Sequence, residues 1–273
     1  MSKVNAADYL RESQYKDSRN LDARIALHTH YSTSSVGGWN SIFDLYAFAP
    51  DARILEIGCG TGLMWVKTKE RIAAGWQITL TDFSAGMLEE SVRNLNEAGI
   101  AQRFIFEQAD AQALPCPANA FDAVIANMML YHVPDRDKAF SEIKRVLTEK
   151  GMLYAVTVGR EHLAEIHRLA HAFERKSGLS IGQWGRDLGT DGFFTIESGK
   201  PELCQHFASV SVHHFQSSLH VTDVDPLVDY ILSTSPDPIA HREPLTAFIA
   251  AEMANRGSAI DIGKHTAMMI ASS

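Results

Sequence analysis

Leu55-Glu56-Ile57-Gly58-Cys59-Gly60-Thr61-Gly62 (LEIGCGTG, residues 55–62) closes an apolar run that starts at Ile54 and opens into a helical pattern near Leu63. Glycines at alternate positions of a strand-to-helix turn let the backbone take positive φ and come close to a ligand with no Cβ in the way. Glu56, two residues before the first glycine, stands at the mouth of the strand. A nicotinamide-type turn wants glycines at its first, third and sixth positions, and the sixth position here is Leu63. The turn therefore reads away from dinucleotides.

From Arg53 onward strand and helix patterns alternate regularly, the signature of a parallel sheet with right-handed crossovers. Leu63 to Ile72 reads as the first helix and Gln77 to Asp82 as the second strand. Asp82, about twenty residues beyond the glycine turn, suits a carboxylate that accepts both hydroxyls of a ribose. It also suits an acid at a helix N-terminus, because Ser84 reads as an N-cap and Glu89 and Glu90 follow. Met87, Leu88, Val92 and Leu95 give the next helix its apolar stripe, and Gly99 stops it. Phe104 to Gln108 alternates as a third strand, Phe121 to Ala126 forms a fourth, Asp135 to Lys150 a helix ended by Gly151, and Gly151 to Val158 a fifth strand.

The E-x-G-x-G-x-G turn resembles motif I of class I S-adenosylmethionine-dependent methyltransferases. A second long stretch, LPCPANAFDAVIANMMLYHVPD from Leu114 to Asp135, is similar to that family's LPFPDNSFDVV…LHHVPD segment. The resemblance runs without a gap from Arg53 to Gly159, about two fifths of the chain. It implies an α/β fold: a Rossmann-like, mostly parallel sheet of seven strands with an antiparallel edge, helices on both faces, and an N-terminal helical lid. It implies S-adenosyl-L-methionine as cofactor and S-adenosyl-L-homocysteine as product. The cofactor residues it implies are Glu56, Gly58, Cys59, Gly60 and Gly62 in the turn and Asp82, Phe83, Ser84 and Met87 after the second strand. Asp110 is implied at the adenine amino group with Ala111 supplying backbone, and Asn127, Met128 and His132 after the fourth strand, with Tyr31 from the lid. The N-P-P-Y type signature of amine methylation is absent from the fourth-strand exit.

The rest of the chain is expected to choose the acceptor. Residues 1–50 read as a helical cap, with helical segments from about Leu21 to Ala49 and a turn through Ser34 to Gly38. Tyr31, Trp39 and Tyr46 in it suit either an aromatic lid facing a cationic sulfonium or plain core packing. Residues 51–273 form the expected catalytic domain, with substrate-side helical insertions at 160–207 and 223–255. Ser180 to Thr195 is Gly-rich and aromatic, a loop pattern near an active site, and Glu202 to Phe207 reads as a short helix. Ser209 to Val221 and Ala259 to Ile270 are expected to close the sheet as its antiparallel edge, with two helices between them. His132 is the candidate general base, since an imidazole titrates near neutrality, and Tyr31 and His30 are its rivals. The alternative role for His132 is packing against the cofactor or capping the next helix.

Composition narrows the partners. A net charge of -8 with no long basic run argues against a nucleic-acid partner and for a small-molecule methyl acceptor. No apolar run approaches the ~18 residues of a membrane helix. The polar start MSKVNAADYLRESQYKDSRN has no apolar core of a signal peptide, and Cys59, Cys116 and Cys204 fit neither a disulfide framework nor a C-x-x-C site, so a cytoplasmic location is expected. His167, His171 and Glu174 share a helix face, but with no further ligand indicated no metal is expected. The readings to separate are methyl transfer, a cofactor-binding protein that uses the same pocket without transfer, and a nicotinamide oxidoreductase.

Overall fold

The structure, a computed structural model, describes residues 19–34, 38–182, 192–233, 235 and 237–272. The polar start and most of the Gly-rich stretch after Ser180 therefore lie outside the described residues. The chain order is α1 (Arg19–Tyr31), α2 (Gly38–Phe43), β1 (Arg53–Ile57), α3 (Leu63–Lys67), β2 (Gln77–Asp82), α4 (Ala85–Glu97), β3 (Phe104–Gln108), β4 (Phe121–Asn127), α5 (Arg136–Val146), β5 (Leu147–Val158), α6 (Ala164–Ser177), α7 (Ile196–Leu203), β6 (Ser209–Val221), α8 (Val224–Leu232), α9 (Pro238–Asn255) and β7 (Ile260–Ser272). One seven-stranded sheet runs β3-β2-β1-β4-β5-β7-β6, with the seven strands and antiparallel edge that the sequence leads one to expect. β1 to β5 pair in parallel, and β7 runs antiparallel to both its neighbours. The order reverses between β1 and β4, so the carboxyl ends of those strands flank the crevice where open α/β sheets take ligands.

Local chemistry sets the element ends. Ser84 caps α4 by accepting from the Met87 N–H at 3.3 Å, and Asp135 caps α5 by accepting from the Lys138 N–H at 3.0 Å. The expected helix from Leu63 to Ile72 stops at Lys67 and resumes only as a 3-10 turn over Lys69–Arg71. The Thr68 hydroxyl donates back to the Met64 carbonyl at 2.8 Å, a competing bond that ends the regular ladder. The helix expected to reach Lys150 ends at Val146. Backbone N–H groups of Asn119 and Ala120 capture the carbonyls of Arg145 and Val146, and Leu147 goes extended to pair with Phe121. α7 lies upstream of the expected Glu202–Phe207 helix because Thr195 and Ser198 form a capping box. Between Leu21 and Ala49 only α1 and α2 are helical, and Tyr46 to Ala49 run without regular structure.

The sheet buries one apolar cluster on each face, and a third cluster lies beyond its carboxyl edge. That third cluster gathers Leu27 of α1, Ile166 and Phe173 of α6, Ile231 of α8, Ile249 of α9 and Ile260 of β7. β5 pairs with β7 only as far as Val158↔Thr266, whereas β6 and β7 stay paired out to Val221↔Ile260. The protruding hairpin is the floor on which α1, α6, α8 and α9 pack. No helix among the described residues is long and apolar enough to cross a membrane. Phe173 is buried in this cap and meets Phe248 edge-on at 5.6 Å. Phe173→Ala is expected to cost about 3–5 kcal/mol, read in urea unfolding as a lower midpoint at an unchanged slope.

Candidate functional site

The three alternating glycines all take positive φ, at 67°, 55° and 70°, but they do different work. A Cβ on Gly58 would strike Met129 at 2.8 Å, and one on Gly62 would strike the Ser91 hydroxyl at 2.6 Å. Those two glycines serve packing. A Cβ on Gly60 would meet nothing within 4 Å, so at Gly60 the bare backbone borders open space. Its N–H donates to Asp82 Oδ2 at 2.9 Å, while the Ser84 N–H donates to Oδ1 at 2.8 Å. An ionised carboxylate has about four acceptor sites, so each oxygen of Asp82 keeps a lone pair beyond these bonds. Burial pushes the Asp82 pKa up, and the backbone N–H donors oppose it. Phe83, next in the chain, is one of the few large apolar side chains left exposed.

Glu56, expected among the cofactor residues, is buried and already has partners within the protein. Its Oε2 accepts the Trp65 indole N–H at 2.6 Å, and its Oε1 lies 3.4 Å from the Asn127 amide nitrogen. That amide also donates to the Tyr46 hydroxyl at 2.9 Å. Burial first, and the Asp82 charge last, push the Glu56 pKa up to about 8 against the Trp65 and Asn127 hydrogen bonds. Trp65 was not among the expected site residues; in the sequence it is one more apolar position of a helix, and its N–H partner nine residues upstream gives no periodic signal.

After β4 the chain turns sharply. Met128 takes φ 55°, a left-handed conformation uncommon for a side chain of its size, and its N–H bonds the Val156 carbonyl at 2.9 Å. Leu130–His132 form a 3-10 turn, the His132 N–H donates to Met129, and the His132 ring meets Tyr131 edge-on at 4.5 Å. Asp110 is half-buried and its Oδ1 accepts both the backbone and the side-chain N–H of Gln112, while Ala111 is buried. Met87 is buried in the first turn of α4. The Cys59 thiol is pushed well above its ordinary pKa, by burial and then by the charges of Asp82 and Glu56.

The rivals to His132 lie elsewhere. Tyr31 packs in the cap and donates to Asp223 Oδ2 at 2.6 Å, a bond that pushes its pKa up to about 12 and removes it as a base near neutrality. His30 is exposed, its Nδ1 2.8 Å from the Ala26 carbonyl of its own helix. Tyr46 is the aromatic of the expected lid that reaches the carboxyl edge, while Trp39 packs with the β1 face of the sheet. His171 and Glu174 approach to 3.9 Å, but Glu174 accepts the Ile181 N–H, and no group of three potential metal ligands occurs among the described residues.

A family model described as a methyltransferase domain matches residues 55–155. The match runs from β1 into β5 and covers less than half of the chain. The ubiquinone/menaquinone biosynthesis C-methyltransferase UbiE of Serratia proteamaculans is 31% identical over 131 residues, 48% of this chain and 52% of that protein. The chain thus spans about half the length of the curated relatives it matches. Among solved structures, the [4+2]-cyclase SpnF superposes with a TM-score of 0.61 at 17% identity, covering 98% of this chain and 96% of that one. The phosphoethanolamine N-methyltransferase 2 of Haemonchus contortus, solved with S-adenosyl-L-methionine, gives a TM-score of 0.58 at 18% identity over 98% of this chain and 60% of its own. These likenesses show the Rossmann-like fold.

The buried Glu56 carries a pH signature. Its folded pKa of about 8 lies above the ordinary 4.5. The stability tied to its protonated form is therefore fully present below about pH 4.5 and lost as pH rises through about 8. Glu56→Gln removes that titration. Thermal unfolding from about pH 5 to about pH 8 should show wild type losing on the order of a few kcal/mol relative to the variant, and parallel curves would refute the assignment.

Proposed function

We propose that the chain is an S-adenosylmethionine-dependent methyltransferase that acts on a small-molecule acceptor. The carrying observation is the open backbone at Gly60 set beside the Asp82 carboxylate. In this reading the lone pairs left on Asp82 accept the two ribose hydroxyls, Phe83 and Ala111 border the adenine, and Asp110 exchanges its Gln112 partner for the adenine amino group. The methionine end lies against the Gly60 turn and the exit of β4, at Asn127, Met128 and His132. S-adenosylmethionine supplies a methyl group on a sulfonium, which a nucleophile takes by in-line displacement. The protein then has chiefly to align the acceptor and exclude water. We assign residues 1–50 together with the insertions at 160–207 and 223–255 to the cap that does so. The family match ends at residue 155, before α6 to α9, so acceptor choice belongs to this chain's own cap. The charge of -8 favours a metabolite over a nucleic acid, and the three free cysteines suit a reducing cytoplasm.

The likeness to a [4+2]-cyclase motivates the second reading, cofactor binding without methyl transfer. Calorimetric titration with S-adenosylmethionine tests the pocket, and formation of S-adenosylhomocysteine from a metabolite pool tests the transfer. Tight binding with no product from any pool would favour the second reading. Loss of Asp82's charge-assisted bonds, each worth about 1.5–3 kcal/mol, should weaken cofactor binding at least tenfold in Asp82→Ala. For His132, alanine and asparagine variants are assayed for turnover and cofactor affinity separately. A base loses roughly 10² to 10⁴-fold in turnover with affinity kept, whereas a packing residue loses affinity or stability and keeps its turnover at saturation.

A further inference from the structure

A second constellation lies at the carboxyl edge, in the cap. His28 of α1 and His162 just past the end of β5 meet there beside Tyr230 of α8, and Lys264 near the start of β7 adjoins His265, whose N–H bonds His162 and from where its charge acts on both rings. The two imidazoles stack with centroids 6.4 Å apart, and Tyr230 meets His28 edge-on at 5.9 Å. His162 Nδ1 accepts the His265 backbone N–H at 3.1 Å, which fixes the tautomer and leaves Nε2–H as a donor. His28 Nδ1 is shielded from solvent and has no hydrogen-bond partner. Unpaired buried polar atoms are rare in native proteins and mark sites of function.

Lys264 is half-buried and makes no ion pair with the described residues. The surrounding acids are already engaged: Glu165 with the Gly263 N–H and Arg168, Glu197 with the Arg160 N–H, Asp223 with Tyr31, and Asp261 with His220. Burial, and then the Lys264 charge, hold His28 down at about 4. Burial, then the charges of His28 and Lys264, hold His162 at about 3. Both rings are therefore neutral at pH 7. Lys264 is thus a half-buried cation with no ion pair among the described residues, set near two neutral imidazoles, an arrangement suited to an anion.

We propose that this cluster seats the carboxylate of a small organic acid, with Lys264 pairing with the anion and the His162 and His28 imidazoles donating to it. The proposal rests on the methyltransferase reading and gives it a substrate class: the acceptor is a carboxylic acid held by its anionic end. One cation matches one negative charge, which favours a monoanion over a phosphate dianion. The placement suits that task. His162 lies four residues past Val158, the β5 residue that pairs with Thr266 of β7, and β5 is the next strand after β4, whose exit carries Asn127 and Met128.

The test uses the full chain with ¹⁵N-labelled histidine, in the presence of S-adenosylhomocysteine, titrated with benzoate, its neutral isostere benzamide, and inorganic phosphate. Benzoate is expected to shift the His28 and His162 imidazole signals saturably, and benzamide to leave them in place. Lys264→Met should weaken benzoate at least tenfold, with Lys264→Arg recovering most of the loss. Equal responses to benzoate and benzamide, no response to benzoate, phosphate binding tighter than benzoate, or unchanged affinity in Lys264→Met would each overturn the proposal. The wild-type benzoate and benzamide comparison needs no variant, so a poorly folded Lys264→Met leaves the test intact. Binding of S-adenosylhomocysteine is measured separately by calorimetry. Its retention without a benzoate response sinks only this inference, and its absence sinks the methyltransferase reading.

Discussion

The carboxylate of Asp82 ties two turns together. It receives the N–H of Gly60 from the turn after β1 and the N–H of Ser84 from the turn after β2, at 2.9 and 2.8 Å. A turn built from alternating positive-φ glycines has few backbone partners of its own, and an unpaired buried N–H costs about as much as a lost hydrogen bond. One side chain answers that need and at the same time presets the N-cap of α4. The register Ile57↔Thr81 holds the two strand ends level, so the turns open on the same side. The acid that a ligand would meet is thus already part of the backbone scaffold and does not have to be ordered on binding, which lowers the entropic cost of association.

Glu56 shows the opposite use of a carboxylate. With Trp65, Asn127 and Tyr46 it forms a buried polar network that joins β1, α3, β4 and the segment after α2. Such a network fixes where β4 ends relative to β1, and the left-handed Met128 begins at that point. Its neighbour Met129 in turn fills the space that a Cβ on Gly58 would need. Strain at Met128 is sustained because both sides of the turn are locked, by Asn127 within and by the Val156 carbonyl across the sheet.

The parts of this architecture that were legible in the sequence are those encoded at short range. The glycine spacing, the acid closing β2, the Ser84 cap and the apolar strands all act within a few residues, and the parallel character of the sheet followed from the alternation of strands with helices. Legibility failed where a local pattern met a distant partner. Leu147 continues a helical stripe on paper, yet the N–H groups of Asn119 and Ala120 end the helix at Val146. Glu56 in the glycine motif reads as a ligand contact, and only the fold reveals that it also accepts the Trp65 N–H. Tyr31 reads as a lid aromatic, and nothing local announces the bond its hydroxyl makes to Asp223, 192 residues away. His28, His162 and Lys264 belong to three unrelated segments, and no spacing rule links them.

The cap draws on both ends of the chain. α1 precedes the sheet, α8 and α9 are inserted between its last two strands, and all three share one apolar cluster with α6. The cluster stands on residues of β6 and β7 that have no β5 beneath them. A cap of this kind can vary without disturbing the glycine turn, because its floor lies three to four strands from β1 in the sheet order. The family match, confined to residues 55–155, follows that physical division: one part of the chain is constrained by the backbone geometry around Gly60 and Asp82, and the other only by the need to bury Leu27, Phe173 and their neighbours. The half-buried His28 and Lys264 then stand out, since apolar packing alone gives no reason to keep them there.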